Sequence, residues 1–347
     1  MGTRGRLATL PKAELHQHLD GSLRPQTAVE LATEAGWSLT LEEARRRMQA
    51  PAHCRDQAEL LTYFELPIAL LQTAPALERA ARDLVEDLAA ETVTYAEIRW
   101  APRLHLEHGL SVDQVLAAVA TGVSTARSAL GARSPLIGLI VTAMRSHSPL
   151  ANVALAERAA AFGTPVVGFD LAGPEAEYPA PPHAAAFRAA EAGGLALTVH
   201  AGEVPGAHRI REALDLGVRR IAHGATALDD DDLVAEIRRR EITLDLCPTS
   251  NVQAGLVRAL ADHPVAHLHR AGVSVTISTD DRTVSHTSLS AELSRTARAT
   301  GLEAGELAAI ALNAFGRAFW PPGELAERSR QARAAWRAWA GGESLTA

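Results

Sequence analysis

Two rhythms of apolar and polar positions alternate along this chain. Short runs rich in Val, Ile, Leu and Thr, closed by turn residues, predict strands over 13–18, 94–100, 136–142, 166–171, 196–200, 219–223, 242–247 and 273–279. Longer stretches with apolar residues three and four apart predict helices over 112–129, 151–162, 182–192, 229–239 and 257–270. Strands that alternate with crossover helices pair in parallel, and eight of them fit one (β/α)8 barrel of the TIM type better than two doubly wound sheets. No Pro/Gly/Ser-rich linker or fixed-period repeat divides the 347 residues, so one domain is expected.

Two parts of the pattern do not belong to a minimal barrel. The first crossover, 21–93, is about three times the length one helix needs and holds several helical patterns, which predicts a helical cap inserted after strand 1, over the barrel mouth. Beyond the eighth strand, 282–347 carries extra C-terminal helices, including the stretch "ELAAIALNAFGRAF", expected to pack around the outside.

Composition narrows the function classes. At 47% hydrophobic and 22% charged the chain is an ordinary globular protein. Its net charge of −7, with the short basic runs Arg45–Arg47 and Arg238–Arg240 embedded among acidic residues, offers no nucleic-acid footprint. Two cysteines, Cys54 and Cys247, make no disulfide framework and no CxxC pair. With no signal-peptide pattern at the N-terminus and no apolar run of membrane-spanning length, a cytoplasmic protein without membrane association is expected.

The chemistry gathers at one end of the predicted strands. "KAELHQHLDGSLRP" closes strand 1 with His16, His18 and Asp20, and residues two apart on a strand share a face. Strand 5 runs into "TVHAGE", with His200 and Glu203; strand 6 ends "RIAHG" with His223; strand 8 ends "STDD" with Asp280 and Asp281. C-terminal strand ends are where barrel enzymes do chemistry. Histidines and carboxylates converging in a desolvated place need partners or a metal, and three imidazoles with one carboxylate suit zinc.

These stretches, together with "VTYAEIRWAP", "GFDLAGPE" and "LCPTSN", stand in an order that resembles the adenosine deaminase family of metal-dependent purine deaminases, from Pro11 to Asp281. The resemblance implies that His16, His18, His200 and Asp280 hold one zinc ion. It further implies that Glu203 is the proton donor and that His223 orients or deprotonates the attacking water. Asp20, Gly173 and Asp281, with His18, would bind the substrate, and Leu60, Leu61 and Phe64 of "AELLTYFELP" would cover its ribose. In that family "HLDG" accompanies nucleosides, so the expected partner is a small-molecule purine nucleoside, adenosine or 2′-deoxyadenosine. Alternatives are 6-amino-6-deoxyfutalosine, free adenine, and a non-catalytic metal-binding relative. The chain departs from the family where relatives continue "DDP": Arg282 follows Asp281 here.

Several other polar residues read as structural. Glu97 and Arg99 share a strand face and are expected in interior ion pairs with Asp170 and Asp245 available; His147, His263, His267 and His269 are expected in loops or at the surface; Ser250 and Asn251 could support the site from behind. Cys247 has no base and orienting partner to make it a nucleophile. The H-x-E and P-C-x-x-C pattern of the cytidine-deaminase zinc site is absent.

Overall fold

In the computed structural model, which describes residues 6–342, eight parallel strands stand side by side in chain order. They are β1 (Lys12–His18), β2 (Val93–Trp100), β3 (Leu136–Met144), β4 (Val166–Ala172), β5 (Ala196–Ala201), β6 (Arg220–His223), β7 (Thr243–Leu246) and β8 (Ser274–Ile277). A bridge between Gln17 and Asp280 joins the last strand's end to the first and completes the (β/α)8 ring. Almost every strand position is buried, which is why these segments read as continuous apolar runs: a parallel strand in a barrel is covered on both faces.

Ion pairs fill part of the interior. Arg99 on β2 reaches Asp170 on β4, at 3.4 Å, and donates to the carbonyl of Leu15. Glu97 pairs with Arg220, which also lies 3.1 Å from Asp245. The interior pairing expected of Glu97 and Arg99 is therefore present, with Arg220 of β6 as the additional cation.

Helices line the outside. The span Val112–Arg133 is long and apolar enough by composition to cross a membrane, but its Val115, Leu116, Val119 and Val123 are buried, and its helix Val112–Leu130 packs along Ala74–Ala90. The first crossover divides in two. Ala74–Ala90 belongs to the outer ring, while Pro25–Glu34, Leu41–Met48, Gln57–Leu61 and Glu65–Leu70 precede it, the last two contributing side chains to the barrel mouth. Three helices follow β8, Leu289–Thr300, Ala304–Arg317 and Pro322–Gly342, and Trp336 on the last donates to the carbonyl of Pro11 at 2.8 Å. Of the C-terminal span expected to be helical, 343–347 lies outside the described residues.

One helical expectation is corrected. The stretch 257–270 is a 3-10 turn, Leu260–Asp262, followed by a short helix, Val265–Arg270. His263 and Pro264 separate them, because a proline pushes the residue before it out of the helical region, and His263 has an extended backbone (φ −68°, ψ 133°).

Candidate active site

His16 and His18 end β1, His200 lies on β5, and Asp280 follows β8. The ring closure brings them together: His18 N–H donates to the Asp280 carbonyl at 2.7 Å, and Asp280 N–H to the His16 carbonyl at 3.1 Å. Asp280 adopts φ +62°, a left-handed conformation uncommon outside glycine, which occurs preferentially at functional sites. One donor atom from each of the four residues lies within 4.8 Å of all the others. Nε2 of His18 faces Nε2 of His200 at 3.2 Å, and Asp280 Oδ1 is 3.0 Å from Nε2 of His16.

This geometry fits a cation. His16 is buried, and neither ring nitrogen makes an aligned hydrogen bond, despite the 3.0 Å approach of Asp280. Burial also pushes the pKa values of His16 and His18 down, that of His18 to about 3, so both rings present lone pairs. Asp170 takes Nδ1 of His200 at 3.0 Å, which leaves Nε2 for the centre, the usual support of a metal-binding histidine. Three imidazole nitrogens and one carboxylate oxygen are a donor set zinc accepts.

Glu203 and His223 stand beside this cradle. Glu203 Oε1 is 3.1 Å from His223 Nε2, and the Gln57 side chain hydrogen-bonds the same carboxyl group. Burial, then the charges of Asp280 and Glu175, pushes the Glu203 pKa well above the usual carboxylate range, which favours its protonated form. The loop that carries it is clamped by Glu175, whose two carboxylate oxygens accept the N–H groups of Gly202 and Glu203, each at 2.8 Å. His223, at φ +69°, is buried; Asn251 meets its Nδ1 at 3.2 Å.

Asp20 reaches the pocket by a route the strand pattern did not foresee. Strand β1 stops at His18, Leu19 turns to helical angles, and Asp20 opens a 3-10 turn, so it shares no strand face with the histidines. Burial raises its pKa to about 6. Asp281 packs against that turn: a Cβ on Gly21 would come within 1.8 Å of Asp281 Oδ1, so only glycine leaves room for the carboxyl. Burial first, and then the Asp280 charge, raises the Asp281 pKa well above the usual range. Gly173, at φ +107°, lines the same pocket.

These groups surround one cavity of about 340 Å³, roofed by Leu60, Leu61 and Phe64 from the first crossover. Among the described residues no Lys or Arg lines it. Arg282, the departure from the family pattern, points elsewhere and pairs with Glu91 at 2.6 Å and Glu14 at 3.5 Å.

Sequence reasoning did not assign Glu175 or Gln57 and placed His263 at the surface. His263 is buried (1% exposed) and bonds Asn251 at 3.1 Å. Asn251 supports the site from behind, as its position in "LCPTSN" suggested.

Comparison with known proteins agrees with the fold and gives the family. The adenosine deaminase family profile matches residues 11–329. A protein named adenosine deaminase from Mycobacterium leprae is 39% identical over 330 residues, covering 90% of this chain and 91% of that one. Among solved structures, an adenine deaminase from Arthrobacter aurescens superposes with a TM-score of 0.87 at 27% identity (96% of this chain, 100% of that one). A zinc-bound amidohydrolase from Burkholderia ambifaria gives 0.86 at 26% (97% and 92%), and the Arabidopsis N6-mAMP deaminase 0.84 at 28% (96% and 99%). Fold and site define a hydrolase that removes an amino group at a cradle suited to a metal ion. The chain belongs to the adenosine deaminase family.

Proposed function

We propose that this enzyme hydrolyses the 6-amino group of a purine nucleoside, converting adenosine or 2′-deoxyadenosine to inosine or 2′-deoxyinosine with release of ammonia. His16, His18, His200 and Asp280 would hold one zinc ion. When bound, such an ion supplies the Lewis acidity that lets water attack at neutral pH.

The chain's own groups carry the rest. Attack at C6 breaks the ring's aromaticity and builds negative charge on N1. Glu203, protonated by virtue of its burial, gives N1 a proton and so neutralises that charge. His223 orients or deprotonates the attacking water, one of whose protons restores the Glu203 carboxyl while the other goes to the amino group, which leaves C6 as ammonia. Purine N7 only accepts hydrogen bonds, so the Asp281 carboxyl facing it must donate one. The Gly173 N–H meets another ring nitrogen, His18 borders the base, and Leu60, Leu61 and Phe64 exclude water over the ribose.

The observation that carries the substrate class is the pairing of Asp20 with a cavity that no Lys or Arg lines among the described residues. A carboxyl group there accepts a hydrogen bond from a 5′-hydroxyl and repels a 5′-phosphate, which sets the site apart from one built for a nucleotide. The test is turnover of adenosine, 2′-deoxyadenosine, adenine, AMP and 6-amino-6-deoxyfutalosine by the wild-type protein and Asp20→Ala. The two nucleosides should be the best substrates, and the variant should lose nucleoside turnover by far more than any turnover of adenine. Equal losses, or AMP as the best substrate, would refute the reading.

A further inference from the structure

Behind His223 lies a chain of three side chains anchored at a group whose role is fixed by its chemistry. The backbone N–H of Val265 can only donate, and it lies 3.3 Å from Nδ1 of His263. Nδ1 is therefore an acceptor. His263 is buried, and burial lowers its pKa to about 3, so the ring is neutral and its single proton sits on Nε2.

That proton has one destination. Nε2 of His263 lies 3.1 Å from Oδ1 of Asn251, so the amide oxygen of Asn251 faces His263 and its NH₂ faces the other way. The NH₂ group meets Nδ1 of His223 at 3.2 Å. An amide NH₂ only donates, so Nδ1 of His223 accepts. With Nδ1 accepting, the ring's proton is left to Nε2.

We infer that His263, acting through Asn251, holds His223 in the tautomer that carries its proton on Nε2, so that His223 presents a hydrogen-bond donor to the reaction centre. Nε2 faces the cavity 3.1 Å from Glu203 Oε1 and 3.8 Å from Asp280 Oδ2, and neither contact is an aligned hydrogen bond. Of the two roles open to His223 in the proposed reaction, this tautomer selects the first. The ring orients the attacking oxygen by donating to it, and Nε2 has no lone pair with which to remove its proton. His263 is then a positioning residue about which the strand pattern says nothing. The tautomer itself does not depend on the proposed substrate.

The experiment is a long-range ¹H–¹⁵N correlation spectrum of the metal-loaded protein labelled with ¹⁵N-histidine. The His223 signals are assigned by their loss in His223→Gln. In the wild type, Nε2 of His223 should appear protonated and Nδ1 as the unprotonated, pyridine-type nitrogen. In Asn251→Asp the carboxylate can only accept, so the pattern should invert, and kcat should fall roughly 100-fold, as when one preorganised donor is lost. In His263→Phe the His223 signals should shift toward a mixture of the two forms. A wild-type spectrum with the proton on Nδ1, or an Asn251→Asp spectrum unchanged from wild type, would overturn the inference. Should a variant fail to fold, the wild-type spectrum decides alone. Because the spectrum needs no turnover, an enzyme inactive on adenosine would count against the proposed function and leave this test standing.

Discussion

Asp170 on β4 grips His200 on β5 through Nδ1, its two carboxylate oxygens lying 3.0 and 3.1 Å away. The same carboxylate is held by Arg99 at 3.4 Å and Thr142 at 3.1 Å, so the ring's orientation is set by three strands at once. Removing the charge should loosen a ligand without deleting it. Asp170→Asn is expected to weaken zinc retention by about 10- to 100-fold, the usual cost of losing such a support. Competition with a chelator, monitored by metal content and with folding checked by circular dichroism, measures this directly; retention equal to wild type would contradict it.

Glu175 touches the loop of Glu203, the proposed proton donor, only through backbone. Its two oxygens accept from the N–H groups of Gly202 and Glu203, and an amide in its place would turn one acceptor into a donor facing a donor. Hydrogen bonds to a charged group are worth about 1.5–3 kcal/mol each. Glu175→Gln should therefore lower kcat by about 10- to 100-fold while zinc content stays at the wild-type level. Steady-state kinetics beside metal analysis separates this outcome from general damage to the site.

Gly21 and Asp281 share one space. Gly21→Ala would put a methyl group 1.8 Å from the present position of Asp281 Oδ1, so the carboxyl must move. If Asp281 positions substrate as proposed, displacing it by about 1 Å costs roughly 100-fold, and a loss of that order in kcat/KM is expected. Asp281→Asn, which keeps a donor, should retain more activity than Asp281→Ala. If the two Asp281 variants were equally impaired, the donor role would be wrong.

Arg270 and Glu306 give a pH dependence remote from the site. Two hydrogen bonds, at 2.8 and 2.9 Å, lower the Glu306 pKa from 4.5 to about 2. A depressed carboxyl pKa stabilises the fold above its unfolded value of 4.5, and that contribution fades as pH falls toward 2. Arg270 is half exposed, so solvent screening keeps the effect small. Arg270→Gln should be slightly less stable than wild type at pH 7, with the difference shrinking below pH 4. Urea unfolding at several pH values measures it, and a difference that grew on acidification would reverse the sign argued here.

Much of this architecture was legible in the order of residues, for physical reasons that also explain the omissions. Strands buried on both faces read as apolar runs, so all eight could be placed. A barrel's chemistry sits where those runs end, so His16, His18, His200, Glu203, His223 and Asp280 stood out. The turn at Leu19 was hidden, because a strand's alternation simply continues on paper through Asp20. Arg220 was included in a strand without its role being seen, since its partners Glu97 and Asp245 come from strands distant in sequence. Glu175 binds backbone N–H groups, which leave no mark on side-chain pattern. His263 was hidden by its neighbours: a histidine-rich, polar stretch reads as surface, and only the broken helix at Pro264 turns that one ring inward.

The central claim is that the cradle of His16, His18, His200 and Asp280 binds a single zinc ion on which deamination depends. Elemental analysis of purified, active protein beside the His16→Ala and Asp280→Ala variants tests it most directly. One equivalent of zinc per chain, lost together with turnover in both variants, is the expected result. Active protein free of stoichiometric divalent metal, or variants that keep both ion and activity, would contradict the account.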